Sequence, residues 1–229
     1  MKDNRAIKKA NAIIQSIEET KDSFLASCAD CESGSNSEQN ILRSTLVLTC
    51  SGIDALIKCL VNDSLNVVVE HDEGAQEQLK NYIREKIKKD YDDAKFLSEL
   101  FISKDPRKKS LQILKAELTH NSLQSAEEIF RIASYFNIET KELGLPINTL
   151  KEIFNTRNVI THQFDFDLNS SELIRRSHKV ELIDDYCTKV IELAKTFVKC
   201  VEQKIKQPKL ENFRDILEID DDGSITFNA

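Results

Sequence analysis

Val180–Ile205, VELIDDYCTKVIELAKTFVKCVEQKI, holds the longest regular pattern in the chain: Val180, Ile183, Cys187, Val190, Ala194, Phe197, Val201 and Ile205 recur at intervals of three and four. That interval matches the 3.6-residue turn of an α-helix and puts all of them on one stripe, so the segment reads as a long helix packed in a core. The same period carries Ile7, Ala10, Ile14, Ile17, Phe24 and Cys28, predicting a first helix through about residue 30. Glu32-Ser33-Gly34-Ser35-Asn36-Ser37 breaks it. A second helix is expected from Ser35 or Ser37 through Leu60, on Leu42, Leu46, Thr49, Ile53, Leu56 and Leu60. Val67-Val68-Val69 reads either as a short extended piece or as the end of that helix.

Five Gly and three Pro in 229 residues leave few breaks, and alternating β-branched runs are scarce, so long helices joined by short polar connections are expected. The fold class is all-α. At 40% hydrophobic and 31% charged residues, the chain has the composition and the length for one sizeable core. Helical patterns within an inserted region, about residues 65–145, run from Gly74 to Lys89, Asp92 to Ile102, Pro106 to Thr119 and Ser125 to Asn137. Pro106 suits a first helical turn, and Ser125 with Glu128 has the spacing of a capping box. The organisation predicted is a single helical domain over 1–206, with its core in about 1–64 and 146–206 and a C-terminal tail at 207–229. The tail includes the acidic run Glu218-Ile219-Asp220-Asp221-Asp222, a poor core element.

Pro146 or Asn148 opens one more helix, on Leu150, Ile153, Phe154, Arg157 and Thr161, and its last turns carry Arg157-Asn158-Val159-Ile160-Thr161-His162. An arginine grips two phosphate oxygens in a planar fork, and a histidine moves a proton near neutral pH; together they cover much of what RNA cleavage needs without a metal. Asn158 and His162, four residues apart, share a helix face, whereas Arg157 and His162 are about 140° apart around an ideal helix. The arginine's long stem, or a helix that ends near His162, would bring both to one pocket. The alternative is ordinary: an Arg and a His close together on a helix often mean no more than solvent exposure or a local hydrogen bond.

Arg-Asn-x-x-x-His, after an amphipathic segment and before a long closing helix, resembles the signature of HEPN domains, many of which are metal-independent endoribonucleases. Leu42 to Leu56 is similar to the apolar second helix of the RiboL-PSP type of that family, and the resemblance covers about half the chain. It implies a four-helix core with a helical insertion between core helices 2 and 3. It also implies an enzyme that cleaves RNA, either tRNA or mRNA, through the ribose 2′-hydroxyl, with no cofactor and no metal. Arg157, Asn158 and His162 would be the catalytic residues. Because one copy supplies one such histidine, a homodimer with facing motifs is expected. A role as a toxin or phage-defence effector, restrained by a regulatory or antitoxin protein, follows from the same resemblance. A second hypothesis is an inactive helical module in which the motif clamps a dimer or senses a nucleotide; fold alone does not separate the two.

Arg43, Ser51 and Asp54 are polar groups on the apolar second helix and need partners if buried; the motif residues are candidate partners, which would make these three supporting groups. For Asp54 a surface position or a simple salt bridge is the competing reading. His178, near Arg175 and Arg176, reads as a surface residue at the start of the closing helix.

A net charge of −7 argues against a general nucleic-acid-coating surface, leaving room for a local basic cleft. The basic patches are Arg84, Lys86, Lys88 and Lys89; Lys104, Arg107, Lys108 and Lys109; and Arg175, Arg176 and Lys179. Acidic neighbours make each read as a solvated helix face. Four of the six cysteines fall on apolar helical positions and read as reduced core residues. Cys28 and Cys31 have metal or redox spacing but no second pair to complete a zinc site. A charged amino terminus and the absence of any apolar stretch of secretory or membrane-spanning length lead to the expectation of a cytoplasmic protein with no membrane partner. Walker, Gly-x-Ser-x-Gly and dinucleotide-binding signatures are absent from the sequence.

Overall fold

Ser35, in extended conformation, accepts a hydrogen bond on its hydroxyl from the Glu38 amide, and this cap starts a helix that runs 36 residues, Asn36–His71. The computed structural model describes residues 3–88, 98–100, 102–123, 125–168, 174–210, 218–219 and 225–226. Seven α-helices have their bounds among these: α1 (Asp3–Cys28), α2 (Asn36–His71), α3 (Glu73–Lys88), α4 (Pro106–His120), α5 (Ala126–Tyr135), α6 (Ile147–Gln163) and α7 (Val180–Ile205). Glu218–Ile219 and Ile225–Thr226 pair as two-residue antiparallel strands, too short to alter the class: the chain is all-α. Of the helix expected from Asp92 to Ile102, residues 98–100 and 102 are described and are helical; the rest of it, and most of the tail, lie outside the described residues.

α2 is the axis of the molecule. α1 and α7 pack along it and on each other, α6 lies on it, and α3 and α4 contact it too. Leu42, Leu46, Ile53, Leu56, Leu60, Leu65 and Val68 of α2 are fully buried. The helix therefore continues past Leu60, and Val67-Val68-Val69 belongs to it, because Ile57, Val61, Leu65 and Val68 prolong the apolar period. By length and mean hydropathy (1.6 over 18 residues) α2 could cross a membrane, so the expectation that no stretch of that kind exists does not hold; half of that window is buried inside the bundle. Gly52 permits the tight approach of α1, since a Cβ there would run into the Ile17 side chain.

Asp72 closes α2 in extended conformation and ties three elements together. One carboxylate oxygen caps α3 at the Ala75 amide (2.8 Å) and accepts from Asn137 (2.9 Å); the other pairs with Lys204 of α7 (2.8 Å). The expected insertion thus hangs on the extension of α2, and its buried residues join the same apolar cluster as those of α1, α2, α6 and α7. Pro106 stands at the start of α4 and Ser125 caps α5 through the Glu128 amide, as their spacing implies.

All six cysteines are free; Cys28, Cys50, Cys187 and Cys200 are buried. Burial, with Cys187 nearby, pushes the Cys50 thiol up to about 12, and burial pushes Cys187 up to about 11. Burial and a hydrogen bond to Glu152 push the Tyr186 hydroxyl up to about 12. The unfolded chain loses these protons earlier than the native one, so it binds fewer protons in alkali and stability falls as pH rises. Urea unfolding at constant ionic strength should show stability level near pH 8 and declining between about 9 and 12. Cys50→Ala should flatten part of that decline.

Candidate active site at the end of the sixth helix

α6 starts at Pro146, whose carbonyl accepts from the Leu150 amide (3.1 Å), and its buried stripe is Leu150, Ile153, Phe154 and Ile160. Arg157 falls on that stripe, four residues after Ile153, in a place where the pattern calls for an apolar side chain. It is half-buried as a result, near the buried Cys50 of α2, and its Nη1 donates to Asn158 Oδ1 (2.9 Å). The Arg157 Nε is buried with no hydrogen bond, and among the described residues no carboxylate pairs with this guanidinium. A cation desolvated in this way costs free energy unless something neutralises it.

His162 lies one turn beyond Asn158 and is exposed, and its ring has no hydrogen-bond partner among the described residues. Thr161 bonds back to the carbonyls of Arg157 (2.9 Å) and Asn158 (3.2 Å). Within one copy, Arg157 and Asn158 touch while His162 stands free at the helix end.

The helix stops by force of tertiary contacts. Phe164 (φ 51°) and Asp165 (φ 64°) both adopt left-handed conformation, a position usually given to glycine, at a cost of about 1–2 kcal/mol each. Their amides both reach the Val159 carbonyl, Asp165 at 3.2 Å. Arg175 Nε donates to the Phe164 carbonyl (3.1 Å), and the Arg176 amide donates to the Asp165 carbonyl (2.9 Å). Phe166 and Arg175 form an antiparallel bridge, so the segment after α6 folds back on itself.

Beneath this turn is a buried polar cluster that the spacing of the sequence does not announce. Asp165 Oδ2 accepts from Arg43 Nε (2.8 Å) and is 2.6 Å from His178 Nε2, and its side chain is 1% exposed. Arg43 also donates to the Arg176 carbonyl (2.7 Å), while Gln39 exchanges two hydrogen bonds with the His178 backbone (2.8 and 2.9 Å). His178 is therefore no surface residue: its side chain is 9% exposed and folded under the loop.

Of the three polar groups on α2 considered as supports, Arg43 bonds to Asp165, Asn40 and Arg176, not to the motif. Ser51 is exposed and donates to the Val47 carbonyl of its own helix (2.8 Å). Asp54 pairs with Lys58 (3.0 Å) and accepts from the Leu123 amide (3.2 Å), the salt-bridge reading with a loop anchor added. Neither contacts Arg157, Asn158 or His162. Cys31 bonds weakly to the Ser27 carbonyl, and the described residues contain no group of three or more His, Cys, Asp or Glu side chains arranged to hold a metal ion.

Comparison with protein-family models, curated proteins and solved structures finds no match for this chain.

Proposed function

We propose that the protein is a metal-independent endoribonuclease of HEPN type that works as a homodimer. The observation carrying this reading is an arginine with no carboxylate partner among the described residues, held near the end of a core helix five residues before an exposed histidine. A phosphate is the natural counter-ion for such a guanidinium, and it would arrive beside an imidazole able to transfer protons.

In the proposed reaction His162 takes the proton of a ribose 2′-hydroxyl. The 2′-oxygen forms a bond to the adjacent phosphorus, and the P–O5′ bond breaks, leaving a cyclic phosphate and a 5′-oxygen that takes up a proton. Arg157 stabilises the charge that grows on the phosphoryl oxygens, and Asn158 holds the guanidinium. The second proton would come from His162 of a facing copy.

Exposed apolar groups around the motif support that pairing. Phe164, Leu168 and Ile174 are 72%, 60% and 57% exposed and lie on the turn and bridge that follow His162. Large apolar side chains left exposed close together in sequence favour a protein contact. Phe164→Asp should shift the protein from dimer to monomer in sedimentation velocity and lower RNA cleavage with it; an unchanged dimer would place the interface elsewhere.

The reading is tested by incubating purified protein with total RNA in excess EDTA and mapping fragment ends. Discrete fragments with cyclic-phosphate ends support it, and the same oligonucleotide made as DNA should stay intact. No cleavage by a stable dimer would favour the binding-module reading. As a toxin or phage-defence effector acting on tRNA or mRNA, the protein should arrest host growth when expressed without its restraining partner.

A further inference from the structure

A concave site lies at the far end of α2. It is a cavity of about 810 Å³ between α2 and the start of α4, lined among the described residues by Asn66, Glu70, Ile83, Lys104, Asp105, Pro106, Arg107, Lys108, Leu111, Gln112 and Lys115. Cys50, near Arg157, and Asn66, on the cavity wall, are 16 residues apart on one helix, about 24 Å along its axis. This is not the site at the end of α6.

Four cations face this space in a chain of net charge −7. Among the described residues no carboxylate lies within ion-pair distance of Lys104, Lys108 or Lys115; Asp63, which pairs with Lys9, acts on Lys115 only from farther off. Lys115 is half-buried and donates to the Asn62 carbonyl (2.9 Å) and Asn66 Oδ1 (3.0 Å); both acceptors are neutral, and burial pulls its ammonium below the usual lysine range. Two carboxylates lie on the wall among the described residues, and each has a partner. Asp105 caps α4 at the Lys108 amide (2.8 Å), and Glu70 pairs with Lys209 (3.1 Å). The amino-terminal end of α4 borders the same space and adds its positive dipole.

The positive charge stops at the rim. Lys109 pairs with Glu99 (2.8 Å) and Lys86 with Glu117 (2.7 Å), so among the described residues these two neighbouring lysines do not extend the positive surface into a track for a long strand. A volume of this size holds a small ligand, and low-dielectric walls focus the field of the cations that line it.

We propose that this cavity binds a small polyphosphate, either a bare phosphate chain or the phosphate chain of a nucleoside triphosphate. Lys104, Lys108 and Lys115 neutralise the phosphoryl oxygens, with Arg107 as a further cation on the wall. Asn66 and Gln112 supply neutral hydrogen bonds, and Ile83 and Leu111 form an apolar floor.

Titration calorimetry of the full chain with sodium tripolyphosphate, ATP and a 20-nucleotide RNA tests this. Saturable 1:1 binding of tripolyphosphate, weakening with added salt, is expected, and it should fall at least about tenfold in Lys104→Ala/Lys108→Ala. Both lysines are exposed, so the fold should survive; Lys115→Gln gives a second variant that keeps a donor toward Asn62. ATP binding more tightly than tripolyphosphate would assign a nucleoside subsite, and equal affinity would assign the phosphate chain alone. Absence of saturable binding by either compound would overturn the proposal. An equal loss in the control Lys189→Ala/Lys195→Ala on α7 would do the same by exposing a non-specific charge effect. RNA bound through these lysines while both small anions fail would make the cavity part of an RNA groove instead.

Discussion

Asp165→Ala should lower the unfolding free energy by about 3–5 kcal/mol, the usual cost of removing one partner from a buried ion pair. Among the described residues Asp165 is the one carboxylate facing Arg43 Nε and His178 Nε2, at 2.8 and 2.6 Å, in a place where the Arg43 side chain is 7% exposed. Without it a guanidinium is left desolvated, and the turn with its two left-handed residues keeps its backbone bonds but loses the side-chain anchor to Arg43 and His178. Urea unfolding monitored by circular dichroism measures the loss. Arg43→Met combined with Asp165→Leu should cost less than the sum of the single changes, since no stranded charge remains. A loss below about 1 kcal/mol for Asp165→Ala would show that the cluster does not hold the turn. The same variant bears on the proposed activity, because the turn that Asp165 locks begins two residues after His162.

His162→Ala should reduce RNA cleavage by about 10²–10⁴-fold, the range over which a positioned general acid or base acts. Because His162 is exposed and has no hydrogen-bond partner among the described residues, helical content and unfolding midpoint should stay within error of the unaltered protein. Initial rates on a defined RNA, read beside a thermal melt, separate chemistry from folding. Full activity in a well-folded His162→Ala protein would remove this imidazole from the reaction. Arg157→Lys would keep the charge and lose the planar fork, so it should fall well below the parent rate without restoring phosphate geometry.

The helices that build the frame were legible because each signal is local. The stripe from Val180 to Ile205, the cap at Ser35, Pro106 and Pro146 all act within one or two turns of themselves. The continuation of α2 from Leu60 to His71 was left open, because three adjacent valines suit a strand as well as a buried helix end, and packing against α7 and α3 decides between them. Arg157, Asn158 and His162 were identified as a group by spacing, and the structure adds which of them is half-buried and which exposed. The amphipathic period of α2 left Arg43 and Asp54 without partners, and sequence distance hid where those partners are: Asp165 is 122 residues from Arg43, and Leu123 is 69 from Asp54.

From the order of its residues this chain determines an all-α class, the positions of most helices and a motif at the end of one of them, because hydrophobic period, caps and breakers work through neighbours in the chain. Tertiary structure alone decides that His178 turns inward, that Phe164 and Asp165 end α6 in a conformation neither residue prefers, and that four cations of one basic patch and its surroundings converge on a cavity. Those outcomes depend on which buried charges and carbonyls meet across the bundle. A desolvated group takes whatever partner the packing brings within reach, and nothing in its immediate sequence names that partner.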